Sequence, residues 1–207
     1  MPAIAQNIWP STNEYGIPDL DIDQQAREII TPFTIWGSVP RGTAMPGTWG
    51  FYTEDYRFTA LWSDPRPVVR SGCKVAIEPN FSCFEDMPLA VGLWRIYQKR
   101  WLARYWQIKG IRIVADLNVA PRYAEVNLSG IPQGWTDYAT RGYVRYAAEL
   151  ERDYGIACNR ALPNLPTFYV YGGSKKIRDM CWFYRNVGWV HIAERADVVK
   201  DQRKIAT

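Results

Sequence analysis

The chain has 207 residues, 47% of them hydrophobic and 22% charged, which excludes a disordered protein and fits one generous domain, with or without an irregular arm. A net charge of +4 and a pI of about 8.9 fall short of the strongly basic balance of a dedicated nucleic-acid binder, yet suit an acidic partner. Ten Trp and thirteen Tyr are the unusual counts: such aromatics fill cores and subunit contacts, or they stack on bases and sugars.

Residues 1–49 read as an irregular N-terminal arm, rich in Pro, Gly and turn formers. A short helix is expected over 23–30, ahead of Pro32, and a short strand over Phe33–Trp36. An α/β domain then spans residues 50–192. Residues 50–62 begin as a strand and pass into a short helix, and the Pro-rich run 63–67 breaks the pattern. Lys74–Ile77 is a short apolar run, the mark of a strand covered on both faces. Asp86 and Pro88 make a helix start, and helical spacing runs from Met87 to Ile108. Lys109-Gly110 closes that helix, and residues 111–119 form a second buried strand, completing a βαβ unit. Strands are expected again over 135–140, 167–171 and 189–192, with helices over 146–154 and 175–184. Residues 193–207 form a polar C-terminal tail.

Alternating strands and helices predict a mostly parallel sheet with crossover helices. Four or five strands of this kind make an open sheet or a partial barrel, too few for a complete eight-stranded one.

Parallel sheets bind ligands outside the carboxyl ends of their strands. That rule gathers Glu78, Asn80 and Ser82, then Asp116 and Asn118, then Arg141, then Tyr171-Gly172-Gly173 at one rim. Asn80, Ser82, Asp116, Asn118 and Arg141 are the candidate catalytic groups, suited to a phosphate or a sugar. The plainer reading of the same residues is that Asn80 and Ser82 satisfy a turn, that Asp116 is half exposed, and that Arg141 pairs with a carboxylate.

The long helix offers a second candidate. Ala90, Trp94, Tyr97, Trp101, Tyr105 and Ile108 fall in a stripe about 60° wide, which is read as the core face. Arg95 and Lys99 lie opposite, with Trp106 between them, and Arg100 and Arg104 occupy the other edge. Bases around an exposed Trp can follow a phosphate backbone, or they can be a solvated face. Lys175 and Lys176 form a further basic cluster after Gly172-Gly173, where free helix amides suit an anion.

Familiar catalytic signatures are missing: no Walker A motif, no G-x-G-x-x-G, no G-x-S-x-G. A single histidine, His191, and four scattered cysteines without a C-x-x-C pair give no expected metal site and no expected cofactor. Without a signal peptide, a reducing cytoplasm of a bacterial or archaeal host is expected, with free thiols and no membrane association.

Several stretches carry a likeness. Asp55-Tyr56-Arg57-Phe58, Pro79-Asn80-Phe81-Ser82 with Asp86-Met87-Pro88, and Gln107 to Ile111 are three of them. With Thr140-Arg141-Gly142 and Val170-Tyr171-Gly172, they resemble a family of phage- and plasmid-borne proteins catalogued as a domain of unknown function, number four-four-one-seven. The resemblance covers about residues 50 to 175, implies a mobile-element origin and supplies no reaction. The family pattern carries Asp at the position of Asn80, which bears on any acid or metal-ligand role there.

Three functions remain open on sequence. The first is a binder of DNA or RNA, or of a nucleic-acid complex, through Arg95, Lys99, Arg100, Arg104, Trp106, Lys175 and Lys176. The second is an enzyme acting on a phosphorylated or nucleotide substrate at the sheet rim. The third is a structural protein that forms a homo-oligomer, or meets a host protein, through its Trp-rich arm.

Overall fold

A computed structural model describes residues 9–40, 42–143 and 147–194. The first eight residues of the expected arm, Tyr146 at the expected helix start and residues 195–207 of the expected tail lie outside these.

Seven strands form one sheet in simple sequence order, every neighbouring pair parallel. They are β1 (Phe33–Ile35), β2 (Thr48–Gly50), β3 (Val75–Ile77), β4 (Arg112–Asp116), β5 (Asp137–Arg141), β6 (Thr167–Tyr171) and β7 (Trp189–Ile192). The helices between them are α1 (Arg66–Arg70), α2 (Leu89–Gln107), α3 (Ala147–Ala161) and α4 (Lys175–Phe183). The sheet curls into a half-barrel, the partial-barrel form of the expected α/β architecture.

Side-chain parity divides the sheet into two faces. Val75 and Ile77 of β3, Val114 of β4, Ala139 of β5, and Tyr169 and Tyr171 of β6 share one cluster on the concave face with Tyr52. Ala76, Ile113, Ala115, Tyr138, Phe168 and Val170 point the other way, into a cluster with Leu102 and Trp106 of α2, Leu150 and Ala157 of α3, and Ile177 of α4. All the long helices therefore cover one side, as in a singly wound barrel.

The sheet starts earlier than residue 50, because β1 and β2 lie inside the stretch read as an arm. β1 matches the short strand expected over Phe33–Trp36, but neither it nor β2 is counted in the expected parallel sheet, so the count of four or five strands is low. Residues 25 and 26 are a wedge at the amino end of the sheet rather than helix. The Ala26 amide donates to Ile113 O at 2.8 Å, and Gln25 Oε1 accepts from the Thr136 amide at 2.9 Å. The only helical turn nearby is a 3-10 turn at Ile22–Gln24. Trp9 and Trp36 pack on the domain itself, against Trp101 at 4.8 Å and Trp49 at 5.0 Å. Cys73, Cys83, Cys158 and Cys181 are free. No helix among the described residues is long and apolar enough to cross a membrane.

Helix α2 departs from expectation in two ways. It begins at Leu89 with Pro88 as its cap and no side-chain cap bond, so Asp86 does not start it. More importantly, its most buried face is the one read as solvated. Gly92, Ile96, Lys99, Arg100, Ala103 and Trp106 are buried, whereas of the expected core stripe Trp101 is buried, Tyr97 and Tyr105 are half-buried, and Ala90, Trp94 and Ile108 are exposed. The helix ends as expected at Gly110, whose φ of +82° suits glycine and lets the Ile111 amide return to Trp106 O.

The tight seating of α2 gives a first prediction. A Cβ at Gly92 would lie 2.1 Å from Cε1 of Tyr123, a fully buried ring whose hydroxyl donates to Met87 O. Gly92→Ala should destabilise the fold by about 1–2 kcal/mol, the overpacking cost exceeding alanine's helix preference. Chemical denaturation that showed a gain in stability would contradict this packing.

A second prediction concerns Asp137, at the amino end of β5 and buried. Burial raises its carboxyl to about 6, against the opposing hydrogen bonds from Thr136 and Tyr169. A raised acid pKa means that the folded state holds a proton that the unfolded chain has lost. Stability should therefore fall as pH rises from about 4 to 6, then level off. Asp137→Asn should make that fall shallower and raise the melting temperature at pH 8 relative to wild type; scans across this range test it.

Candidate functional site

Below the carboxyl rim lies a buried charged layer. The chain leaves β3 at Glu78, which is fully buried. One of its oxygens takes the Arg100 guanidinium of α2, and the other accepts the Asp116 amide at 3.0 Å. Arg100 spends its other donors on Asn127 O at 2.7 Å and Ser129 O at 3.1 Å. Next along the helix, Lys99 donates to Asp116 Oδ2 at 3.1 Å and to its carbonyl at 2.9 Å.

Asp116 is the centre of this layer. Tyr52 donates its hydroxyl at 3.0 Å, the Asn118 amide reaches the same oxygen at 3.3 Å, and Asn80 Nδ2 straddles both oxygens at 3.4 and 3.3 Å. Burial, with Asp116 beside it, holds the Tyr52 hydroxyl well above its usual pKa, so Tyr52 stays a donor. An Asp in place of Asn80 would set a second carboxylate against Asp116, whereas the amide gives both oxygens a hydrogen.

Above this floor opens a cavity of about 740 Å³. Asn80 and Ser82 line it from the end of β3, Asn118 from the end of β4, and Thr140 and Arg141 from the end of β5. Glu149 and Asp153 of α3 close its far wall. Of the five rim candidates, four therefore line one cavity, and Asp116 lies beneath it.

Their freedom differs. Ser82 Oγ donates to Asp55 Oδ1 at 2.9 Å, and the Ser82 amide reaches the same carboxylate, so Ser82 braces its loop. Arg141 donates to Tyr52 O at 3.0 Å, lies 3.7 Å from Glu194, and spreads over the rings of Tyr143 and Tyr171. Its side chain remains partly exposed at 29%. Tyr171 does not line the cavity; it stacks on Tyr52 with centroids 5.4 Å apart.

Sequence reasoning missed Asp153. Its carboxylate is held by Thr140 Oγ1 at 3.2 Å and by the Arg152 guanidinium at 2.6 Å. Burial nevertheless raises it to about 6, within the range where a carboxyl can exchange a proton near neutrality. The available signal was the i, i+4 pair Glu149 and Asp153, two acids on one helix face beside the rim. Cys83 also lines the cavity, but burial pushes its thiol up to about 11, which leaves it a poor nucleophile. Among the described residues, no three His, Cys, Asp or Glu side chains come together to hold a metal ion.

The seven residues expected to touch nucleic acid do not form one surface. Lys99, Arg100 and Trp106 are core residues, because Asp116 and Glu78 draw the two cations inward. Trp106 stacks on Phe51 at 5.4 Å and donates to Pro65 O at 3.1 Å. Arg95 lies over the Phe81 ring, and Arg104 pairs with Asp21 at 3.5 Å. Lys175 and Lys176 are exposed on α4, with Lys175 paired to Asp179 at 2.7 Å.

The family model described as a domain of unknown function (DUF4417) matches residues 9–178. The chain belongs to that family. The match begins well before residue 50, in keeping with β1 and β2 being part of the sheet. The Gene 1 protein of Mycobacterium phage D29 is 32% identical over 135 residues, covering 62% of this chain and 48% of that protein. The Gene 1 protein of Mycobacterium phage L5 is likewise 32% identical over 135 residues, covering 62% of this chain and 57% of its own. The chain thus spans about half the length of these curated relatives, and its association is with phage. No solved structure matches it.

The buried layer gives the prediction of this section. Arg100→Met leaves the Glu78 carboxylate unpaired and should cost about 3–5 kcal/mol, whereas Arg100→Met combined with Glu78→Leu should recover part of that loss. A double-variant loss equal to the sum of the Arg100→Met and Glu78→Leu losses, measured by urea unfolding, would show that the pair is not coupled.

Proposed function

We propose that the rim cavity is the active site of an enzyme acting on a phosphorylated or nucleotide substrate. The observation that carries this reading is the convergence, on one cavity at the carboxyl end of a parallel half-barrel, of a guanidinium, two carboxamides and a buried carboxyl titrating near 6. Arg141 meets the anionic group of the substrate. Asn80 and Asn118 orient its polar edge from the floor, held in place by Asp116. Asp153 gives or takes the proton. Asp116 itself acts through Asn80 and is a positioning residue.

The test is binding and turnover with a panel of sugar phosphates and nucleoside mono-, di- and triphosphates, followed by calorimetry and by NMR of the substrate. Arg141→Ala should weaken binding at least tenfold, since a charge-assisted contact contributes about 1.5–3 kcal/mol. Asp153→Asn should keep binding and lower kcat by about 10²-fold or more. If Asp153 is the base, wild-type kcat should rise as pH passes through about 6, and the variant should lose that step. A panel in which no phosphorylated compound binds, or in which Arg141→Ala binds as well as wild type, would overturn the reading.

A further inference from the structure

Two of the three most exposed aromatic residues among those described, Trp182 and Phe183, lie next to each other on α4. Trp182 is 68% exposed and Phe183 74%, whereas Ile177 and Cys181 on the opposite side of the helix are buried against the sheet. At about 100° per residue, the outward face also carries Lys175, Lys176 and Arg178, and Arg185 just beyond the helix adds a fourth base. Asp179 is the one acid among these residues, so the face carries four positive charges and one negative, a net +3. The Arg185 guanidinium lies 4.0 Å from the Trp182 ring centroid and donates to Trp182 O at 2.6 Å, which holds ring and charge together. Around this face, Glu151 is turned to the Tyr184 hydroxyl at 3.2 Å, and Glu194 pairs with Arg141.

We propose that this face of α4 binds single-stranded nucleic acid. Two exposed aromatic rings among bases fit a partner that offers flat π-faces and a run of negative charge together. A duplex keeps its bases stacked on one another and would leave both rings unused. An acidic membrane is the other surface that attracts Trp, Phe and Lys, but here Asp179 projects at an angle between Trp182 and Phe183. Inserting the rings among acyl chains would bury that carboxylate with them, whereas on a single strand it stays in water beside Lys175. The amino end of α4 adjoins the rim through its other side: Gly142, next to Arg141, lies close to the Gly172 carbonyl and to the buried Ile177. The aromatic face shares no residue with the cavity, and the inference stands without any activity there.

Fluorescence anisotropy with a labelled dodecathymidylate and the full chain at 50 mM salt tests it. Wild type should bind, and the affinity should fall as salt rises, with a shallower slope in Lys175→Gln/Lys176→Gln. Trp182→Ala and Phe183→Ala should each weaken binding about tenfold. Both positions are exposed, so unfolding midpoints should match wild type and separate loss of contact from loss of fold. Binding of a duplex of equal length should be at least tenfold weaker. No wild-type binding at 50 mM salt, binding unchanged by both aromatic substitutions, or tighter Trp182-dependent association with phosphatidylserine vesicles would each overturn the proposal.

Discussion

Two buried ion pairs set the position of everything that matters at the rim. Lys99 and Arg100 are adjacent on α2, so they project about 100° apart and reach two different strand ends. Arg100 takes Glu78 after β3, and Lys99 takes Asp116 at the end of β4. Glu78 also accepts the Asp116 amide, which ties the two strand ends to each other as well as to the helix. Buried pairs of this kind add little net stability over a well-packed apolar core, because desolvation offsets the attraction. What they add is direction. A helix bound by two adjacent cations to two fixed carboxylates has one allowed rotation about its own axis.

That rotation accounts for the aromatic composition. With the bases inward, the stripe from Trp94 to Tyr105 is left on the outer side of α2, where it needs a second cover. Trp62 and Trp9 supply it. Trp62 meets the edges of Trp94, Tyr97 and Trp101 at 5.3–6.2 Å, Trp9 meets Trp101, and the stacked pairs Trp94–Tyr97 and Trp101–Tyr105 run along the helix. Each such ring pair contributes about 0.5–1.5 kcal/mol beyond the area it buries. Four of the ten Trp, Trp9, Trp62, Trp94 and Trp101, thus form an outer layer that the N-terminal segment and the 3-10 turn at Thr59–Trp62 close over α2.

Most of the architecture was legible because it rests on local pattern. The runs at 75–77, 113–115 and 168–171 are continuous and apolar, as strands buried on both faces must be. The residues at their carboxyl ends followed from topology alone, which is why Asn80, Asn118 and Arg141 could be brought to one cavity without a structure. The failures have a different physical origin. Periodicity finds an apolar stripe, but it cannot tell a stripe facing the sheet from one facing a second layer of aromatics. Nor can it show that cations are inside when their partners, Glu78 and Asp116, lie more than ten residues away in sequence. Asp153 escaped for the converse reason: its i, i+4 pairing with Glu149 is common on ordinary helices, and only the cavity sets it apart.

The same distinction separates the two central carboxylates by role. Asp116 receives four donors, from Tyr52, Asn80, Lys99 and Asn118, which leaves its lone pairs occupied and its oxygens below the cavity floor. A group bonded from four positions of the chain at once suits framework. Asp153 has two side-chain partners, borders the cavity, and is desolvated enough to titrate near 6. The two acids thus sit in different surroundings, Asp116 enclosed by donors beneath the floor and Asp153 desolvated beside the cavity, and surroundings of this kind can assign structure to one carboxyl and chemistry to another. The proposed activity depends on this asymmetry more than on any single residue, because neither carboxyl alone would distinguish a catalytic rim from a buried polar joint.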